Sequence, residues 1–139
     1  HYDGWKRYGQ SKLADLMFAL ELDRRLAAAG RRTISVAAHP GVADTELTRH
    51  MPDFMQKVAA TVTGAVLNSA EQGAWPTLMA ATERHVSGGD YYGPTGPLEA
   101  RGKAGKAKPT KRARDNDTAR RLWDVSVEMT GVDPVLAAV

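Results

Sequence analysis

The sequence predicts an α/β fold, because a long helical segment is followed by a short buried strand and then by helices around a second short strand. The chain has 139 residues, about one domain. It is 42% hydrophobic and 25% charged, close to the averages for globular proteins. These values exclude a wholly disordered chain, a collagen-like repeat and a coiled-coil rod.

Composition also limits the possible sites and partners. The chain has no cysteine, which excludes a disulfide framework, a thiol nucleophile and a thiolate metal site. This suits a reducing compartment, and we expect a cytoplasmic protein. No stretch approaches the roughly 20 apolar residues of a membrane-spanning helix, so we expect no membrane segment. The net charge of +3 is too small to indicate a partner.

The first elements are a helix and a strand. Strong helix formers fill Tyr8–Ala29, and Gly30 is the expected C-cap. Residues 33–38 then form a short apolar run that predicts a buried strand. Proline lacks the ladder donor and Pro-Gly favours a turn, so His39-Pro40-Gly41 should end this strand.

The second half of the chain predicts two more helices and one more strand. Ser69 and Gln72 have the spacing of a capping box, and the helix they begin should reach about Arg84. Residues 90–93 form a possible short strand. Residues 93–114 hold three prolines and predict a basic loop, and residues 115–131 predict a final helix that ends at Gly131.

The first helix carries two apolar stripes on opposite sides. At 100° per residue, one stripe consists of Leu13, Leu16, Met17 and Leu20. The other consists of Ala14, Phe18, Leu22 and Leu26. A helix that is apolar on both sides is buried on both sides. The second stripe therefore needs a partner, either another layer of this chain or a second subunit.

Two side chains with complementary chemistry begin this helix. Tyr8 and Lys12 are four residues apart, which places them on one helix face. A phenol titrates near pH 10 and is a poor base at neutral pH, but a nearby cation favours the phenolate. A phenol tuned in this way can exchange a proton with a carbonyl or alcohol oxygen while hydride moves. Tyrosine and lysine also occur at this spacing by chance.

The turn after the predicted strand is a second candidate. In open α/β sheets, ligands bind beyond the carboxyl ends of the strands. Gly41 permits a close backbone approach there, and Thr45 offers a hydroxyl a few residues further on. A plain strand-ending turn is the competing interpretation.

Taken in order, these features resemble the short-chain dehydrogenase/reductase family. The chain contains that family's Tyr-x-x-x-Lys motif as Tyr8-Gly9-Gln10-Ser11-Lys12 and its Pro-Gly-x-x-x-Thr motif as Pro40-Gly41-Val42-Ala43-Asp44-Thr45. The residues within and around these motifs are most similar to those of the retinol-dehydrogenase branch of the family. Further motifs of that branch are Gln72-Gly73-Ala74, Gly89-Asp90-Tyr91-Tyr92-Gly93 and Arg121-Leu122-Trp123.

The resemblance implies a role for each matching residue. Tyr8 would be the catalytic acid/base, and Lys12 would favour its phenolate and bind the nicotinamide ribose. Pro40, Gly41 and Val42 would face the nicotinamide of NAD or NADP, and Thr45 would bond the carboxamide or the diphosphate. The substrate would be a small alcohol or carbonyl compound. Family members commonly pair through this helix, so the resemblance also implies a homo-oligomer formed through Tyr8–Ala29.

Other parts of the family pattern are missing from the chain. A glycine-rich pyrophosphate turn after a strand is not present, and seven residues before Tyr8 leave no room for the family's catalytic serine and asparagine. The chain begins with His1 and has no signal-peptide pattern. We therefore expect the second half of a Rossmann-type, doubly wound parallel sheet whose amino-terminal half is missing. The alternative is a non-catalytic fragment or interaction subunit that retains the oligomer-forming helices.

The basic segment and the histidines indicate neither a nucleic-acid partner nor a metal site. Residues 101–114 contain seven lysines and arginines and no acid, but no aromatic side chain for base stacking, so a solvated loop is favoured over nucleic-acid contact. The four histidines lack metal-ligand spacing, so we expect no metal site.

Overall fold

The computed structural model describes residues 2–41 and 68–134. The helices are α1 (Gly4–Ala28), α2 (Ala70–Thr82) and α3 (Asn116–Thr130). The strands are β1 (Ala37–Ala38), β2 (Tyr91–Pro94) and β3 (Ala104–Lys106), with a 3-10 turn at Pro97–Glu99. The chain divides into two compact units. The first unit comprises the described parts of 1–37, 87–90 and 108–139, and the second those of 38–86 and 91–107.

Helix α1 begins four residues before the predicted start. The Asp3 carboxylate accepts hydrogen bonds from the amides of Trp5 and Lys6, which satisfies two of the donors that a helix start leaves free. The helix ends one residue before the predicted limit, with Ala29 rather than Gly30 as the C-cap, and Gly30 follows in the left-handed conformation with a φ of +66°. The amides of Gly30 and Arg31 bond back to the carbonyls of Ala27 and Leu26, respectively, in a Schellman arrangement.

The second apolar stripe of α1 has a partner within the chain. The ring of Phe18 stacks on that of Trp123 in α3, with 5.0 Å between centroids and 9° between planes. The Arg25 guanidinium lies 4.5 Å from the same Trp123 ring, and Leu26 is buried. The sequence left two possible partners for this stripe, another layer of the chain or a second subunit. Phe18 contacts another layer of its own chain, and it remains 38% exposed. Association of subunits through α1 stays a prediction.

A buried carboxylate on α1 is paired with two arginines of the same helix. Glu21 is buried, and its two oxygens accept hydrogen bonds from Nε of Arg24 at 2.9 Å and from Nε of Arg25 at 2.8 Å. A buried charge is tolerated when it is paired and hydrogen-bonded in this way. Arg25 thus joins the carboxylate of α1 to the aromatic pair of Phe18 and Trp123.

The α/β class is confirmed, and the described strands form one mixed sheet in the order β1-β2-β3. The amides of Ala37 and His39 donate to the carbonyls of Asp90 and Tyr92, so β1 and β2 run in the same direction. Strand β3 returns antiparallel to β2, with Tyr92 opposite Lys106. The sequence predicted a parallel sheet, whereas the described sheet contains one antiparallel pair, β2 with β3.

Two predicted segments differ from the structure. The strand predicted over 33–38 pairs only at Ala37–Ala38, because Ser35 is held by the Asp23 carboxylate and the Gly89 amide instead of a ladder. The loop predicted over 93–114 contains β3 and the end of β2. Strand β3 has the sequence Ala-Gly-Lys, which carries no strand propensity and forms through its pairing with β2.

The predicted capping box of α2 and the predicted end of α3 at Gly131 are confirmed. Ser69 Oγ accepts from the Gln72 amide at 3.2 Å, and Gln72 Oε1 accepts from the Ser69 amide at 3.0 Å, which completes the capping box of α2. Helix α2 ends at Thr82, two residues before the predicted limit. The Asp115 carboxylate caps α3, and Gly131 ends it with a φ of +68°.

Candidate active site

Helix α1 places Tyr8 and Lys12 side by side in the first unit. Because Asp3 starts the helix, Tyr8 lies in its second turn and Lys12 one turn later on the same face. Lys12 Nζ lies 5.8 Å from the centroid of the Tyr8 ring, within the range of a cation–π contact. The Tyr8 side chain is 40% exposed, so its hydroxyl can be reached by a ligand. The predicted proximity of phenol and ammonium is therefore present.

The neighbours of this pair leave both polar groups available. Lys12 Nζ is 3.1 Å from Asp15 Oδ2, but the lysine and aspartate side chains are 60% and 68% exposed. An exposed pair of this kind contributes little free energy, so the ammonium can turn to a ligand at low cost. Trp5 packs edge-on against Tyr8, with 6.3 Å between ring centroids. This contact orients the tyrosine ring without using its hydroxyl.

The turn after β1 belongs to the second unit and is fixed by its own packing. Gly41 has a φ of +72°, which favours glycine. A Cβ at this position would collide with the Ala100 carbonyl oxygen and lie 2.6 Å from Pro94 Cγ. Glycine is therefore required here by the chain itself, whether or not a ligand approaches the turn.

A buried asparagine is hydrogen-bonded to the same turn. Asn68 is 1% exposed, and its Nδ2 donates to the Pro40 carbonyl at 3.0 Å. Its Oδ1 accepts from the Gly102 amide at 3.3 Å. Sequence reasoning missed this residue, because its position before the capping box of α2 gives no indication of contacts with two distant backbone segments.

His39, at the start of the turn, is enclosed by Tyr91 and Glu99. The rings of His39 and Tyr91 stack with 5.0 Å between centroids, and His39 Nε2 lies 3.5 Å from Glu99 Oε2. The Gly41 amide donates to His39 Nδ1 at 3.3 Å, so Nδ1 is the acceptor and the neutral ring carries its proton on Nε2. A Cβ at Gly93 would collide with Nε2, so glycine at that position leaves room for the imidazole.

Burial and charge act in opposite directions on His39. Burial lowers the pKa of His39, and the Glu99 carboxylate partly opposes this by favouring the imidazolium. Burial and the same carboxylate both raise the pKa of Tyr91. Glu99 was also missed by sequence reasoning, since it lies in a turn that showed no periodicity.

The structure treats the predicted site residues in three ways. It brings Tyr8 and Lys12 together, and it describes Pro40 and Gly41 as part of a tightly held turn. Val42 and Thr45 lie outside the described residues. Within 2–41 and 68–134 there is no group of three or more histidine, aspartate or glutamate side chains that could hold a metal ion. Over the same ranges, no helix is long and apolar enough to cross a membrane.

Several curated proteins are similar to most of this chain. Polyprenol dehydrogenase of Mus musculus is 38% identical over 130 residues, covering 94% of this chain and 37% of that protein. The short chain dehydrogenase/reductase dpchH of Colletotrichum higginsianum is 35% identical, covering 87% of this chain and 29% of that protein. Retinol dehydrogenase 13 of Homo sapiens is 35% identical, covering 95% of this chain and 38% of that protein. The chain thus spans about a third of the length of these relatives.

A solved structure has the same fold. An uncharacterized protein from Mycobacterium paratuberculosis matches with a TM-score of 0.74 and 34% sequence identity. The match covers 98% of this chain and 42% of that protein. No protein-family model matches the chain.

Proposed function

We propose, from the premise that the chain belongs to the short-chain dehydrogenase/reductase family, that it supplies part of the active site of a nicotinamide-dependent oxidoreductase. The observation that carries this proposal is the pair of Tyr8 and Lys12 on one face of α1, with an exposed phenol beside an ammonium. The substrate would be an alcohol that is oxidised or an aldehyde or ketone that is reduced.

The proposed role of Tyr8 is to exchange a proton with the substrate oxygen. In the direction of carbonyl reduction, the phenol gives its proton to the oxygen as hydride reaches the carbon, so the product leaves as a neutral alcohol. In the reverse direction the phenolate takes the hydroxyl proton. The ammonium of Lys12 lies beside the phenol, 5.8 Å from its ring centroid, and Trp5 packs edge-on against the same ring.

NAD or NADP would supply or accept the hydride when bound. Lys12 fits such a group, since its ammonium pairs with an exposed carboxylate, that of Asp15, and can turn at low cost to bond the ribose hydroxyls. Pro40 and Gly41 would present backbone groups to the nicotinamide, as the resemblance implies. Val42 and Thr45 complete the proposed cofactor contacts.

The names of the relatives suggest which substrates to test first. Two of them are a polyprenol dehydrogenase and a retinol dehydrogenase, and both names refer to a primary alcohol on an apolar chain. We propose the same class for this protein. Since the chain spans about a third of these relatives, the activity is proposed for the full-length gene product.

The direct assay follows nicotinamide absorbance. The full-length gene product is incubated with NAD or NADP and with retinol, a polyprenol and simple secondary alcohols, and the reverse reaction is run with the corresponding carbonyl compounds. The proposal predicts turnover that requires both cofactor and alcohol. Binding of neither cofactor, with no turnover of any of these compounds, would favour the non-catalytic alternative.

A further inference from the structure

We propose that Asn68 is a positioning residue for the cofactor, because its buried amide fixes the backbone of the turn at Pro40 and Gly41. This inference rests on the proposed function, which places that turn against the nicotinamide. Asn68 does not itself touch the cofactor in this account. It acts through the Pro40 carbonyl.

The amide of Asn68 joins two backbone segments. Its donor end bonds the Pro40 carbonyl at 3.0 Å, and its acceptor end bonds the Gly102 amide at 3.3 Å. Both halves of the side chain are thus used, and only 1% of the residue is exposed. A buried amide with both ends bonded to the main chain restricts the position of each segment.

The segment around Gly102 is itself well ordered by hydrogen bonds. The Gly96 amide bonds the Arg101 carbonyl at 3.0 Å, and the Thr95 amide bonds the Lys103 carbonyl at 2.9 Å. The same segment supplies the Ala100 carbonyl that closes the space beside Gly41. Asn68 therefore ties the proposed nicotinamide turn to a braced loop, so that the turn is held in place before the cofactor arrives.

The chemistry of the contact requires an amide and not a carboxylate. Asn68→Asp keeps the acceptor for the Gly102 amide but replaces the donor with an oxygen that faces the Pro40 carbonyl. Two acceptors then oppose each other, and the turn should move away from the position that binds the cofactor. Protonation of the new carboxyl restores a donor. The defect of Asn68→Asp should therefore decrease as the pH falls.

The test measures the cofactor KM, kcat and thermal unfolding of full-length variants. Asn68→Asp is expected to raise the cofactor KM about tenfold at neutral pH, with kcat at saturating cofactor changed by less than about threefold. The ratio of its KM to that of the wild type at the same pH should fall toward one at acid pH, and this ratio removes the titration of His39, whose Nδ1 accepts from the Gly41 amide in both proteins. Asn68→Ser is a second variant in case the aspartate does not fold, because its small hydroxyl leaves room for a water; an intermediate increase in KM is expected.

The neighbouring residue provides the matched control. Ser69→Ala removes the N-cap of α2 and should lower the unfolding temperature, but it leaves the Pro40 carbonyl bonded and the cofactor KM unchanged. An active wild type with a cofactor KM within about twofold for both Asn68 variants would overturn the inference. So would an equal rise in Ser69→Ala, or a defect in Asn68→Asp that does not depend on pH. A wild type that shows no nicotinamide-dependent turnover contradicts the proposed function, and this inference with it.

Discussion

Gly41 shows how a single residue can serve both the fold and a proposed site. Its positive φ and the Ala100 carbonyl beside it explain the glycine without any ligand. Gly30 has a similar φ of +66°, but a Cβ there would meet nothing within 4 Å. The two positions therefore separate the cost of the backbone conformation from the cost of the close contact.

Alanine at these two glycines should destabilise the protein to different extents. Gly30→Ala should lower the free energy of unfolding by about 1 kcal/mol, the cost of the left-handed conformation. Gly41→Ala should lower the free energy of unfolding by about 2 kcal/mol more than Gly30→Ala does, because the Ala100 carbonyl and Pro94 must shift. Denaturant unfolding of both variants measures the difference. Equal losses would show that the contact at Gly41 is easily relieved.

His39 provides a prediction about pH. Because its folded-state pKa is lowered, the unfolded chain takes up the proton first on acidification. The neutral His39 ring therefore contributes its full share of stability above about pH 6.5. This contribution is lost as the pH falls from that value through the folded-state pKa of His39. Glu99→Gln should lower the pKa of His39 further, since it removes the carboxylate that favours the imidazolium.

An NMR titration of the imidazole carbons measures this pKa. Glu71→Gln removes a carboxylate from the first turn of α2 and serves as the control for a change in net charge. A His39 pKa that rises in Glu99→Gln, or that moves equally in both variants, would contradict the assigned role of Glu99.

At the scale of elements, sequence reasoning succeeded where the signals are local. The capping box of Ser69 and Gln72 and the ends of α3 at Asp115 and Gly131 depend on residues within one turn. The sequence did not predict elements whose structure depends on contacts with residues distant in the chain. Strand β3 exists through its pairing with β2, and Ser35 leaves the predicted strand because the Asp23 carboxylate binds its amide.

The candidate site divides in the same way. Tyr8 and Lys12 could be found from their spacing on one helix. Asn68 and Glu99 could not, because each acts on the turn at His39–Gly41 across a long separation in sequence. Motif reasoning therefore identified the residues proposed to meet the ligand and missed those that hold them in place.

The packing of α1 against α3 depends on Trp123. Its ring is buried and contacts both Phe18 and the Arg25 guanidinium, so Trp123→Ala should lower the free energy of unfolding by about 3–5 kcal/mol. Val125, two residues along the same helix, is exposed, and Val125→Ala should change stability by less than about 0.5 kcal/mol. Denaturant unfolding compares the two. A loss at Trp123 no larger than that at Val125 would mean that the helix pair contributes little to stability.

At the scale of the whole molecule, the sequence contains no Gly-x-Gly-x-x-Gly motif, the glycine pattern of a dinucleotide-binding turn. We therefore expect this chain alone not to bind a dinucleotide tightly, even though it carries the proposed proton donor. Calorimetry with NADH and NADPH on the isolated chain tests this expectation. Micromolar binding to a monomer would show that the chain holds a cofactor site of its own.

The proton-transfer role of Tyr8 is tested most directly by removing its hydroxyl. In the full-length gene product, Tyr8→Phe should lower kcat by about 100-fold or more, with little change in the cofactor KM, because only the general acid/base is lost. Tyr2→Phe is the matched control, since Tyr2 is an exposed tyrosine outside the motif, and its turnover should equal that of the wild type. Turnover of Tyr8→Phe close to that of Tyr2→Phe would contradict the account.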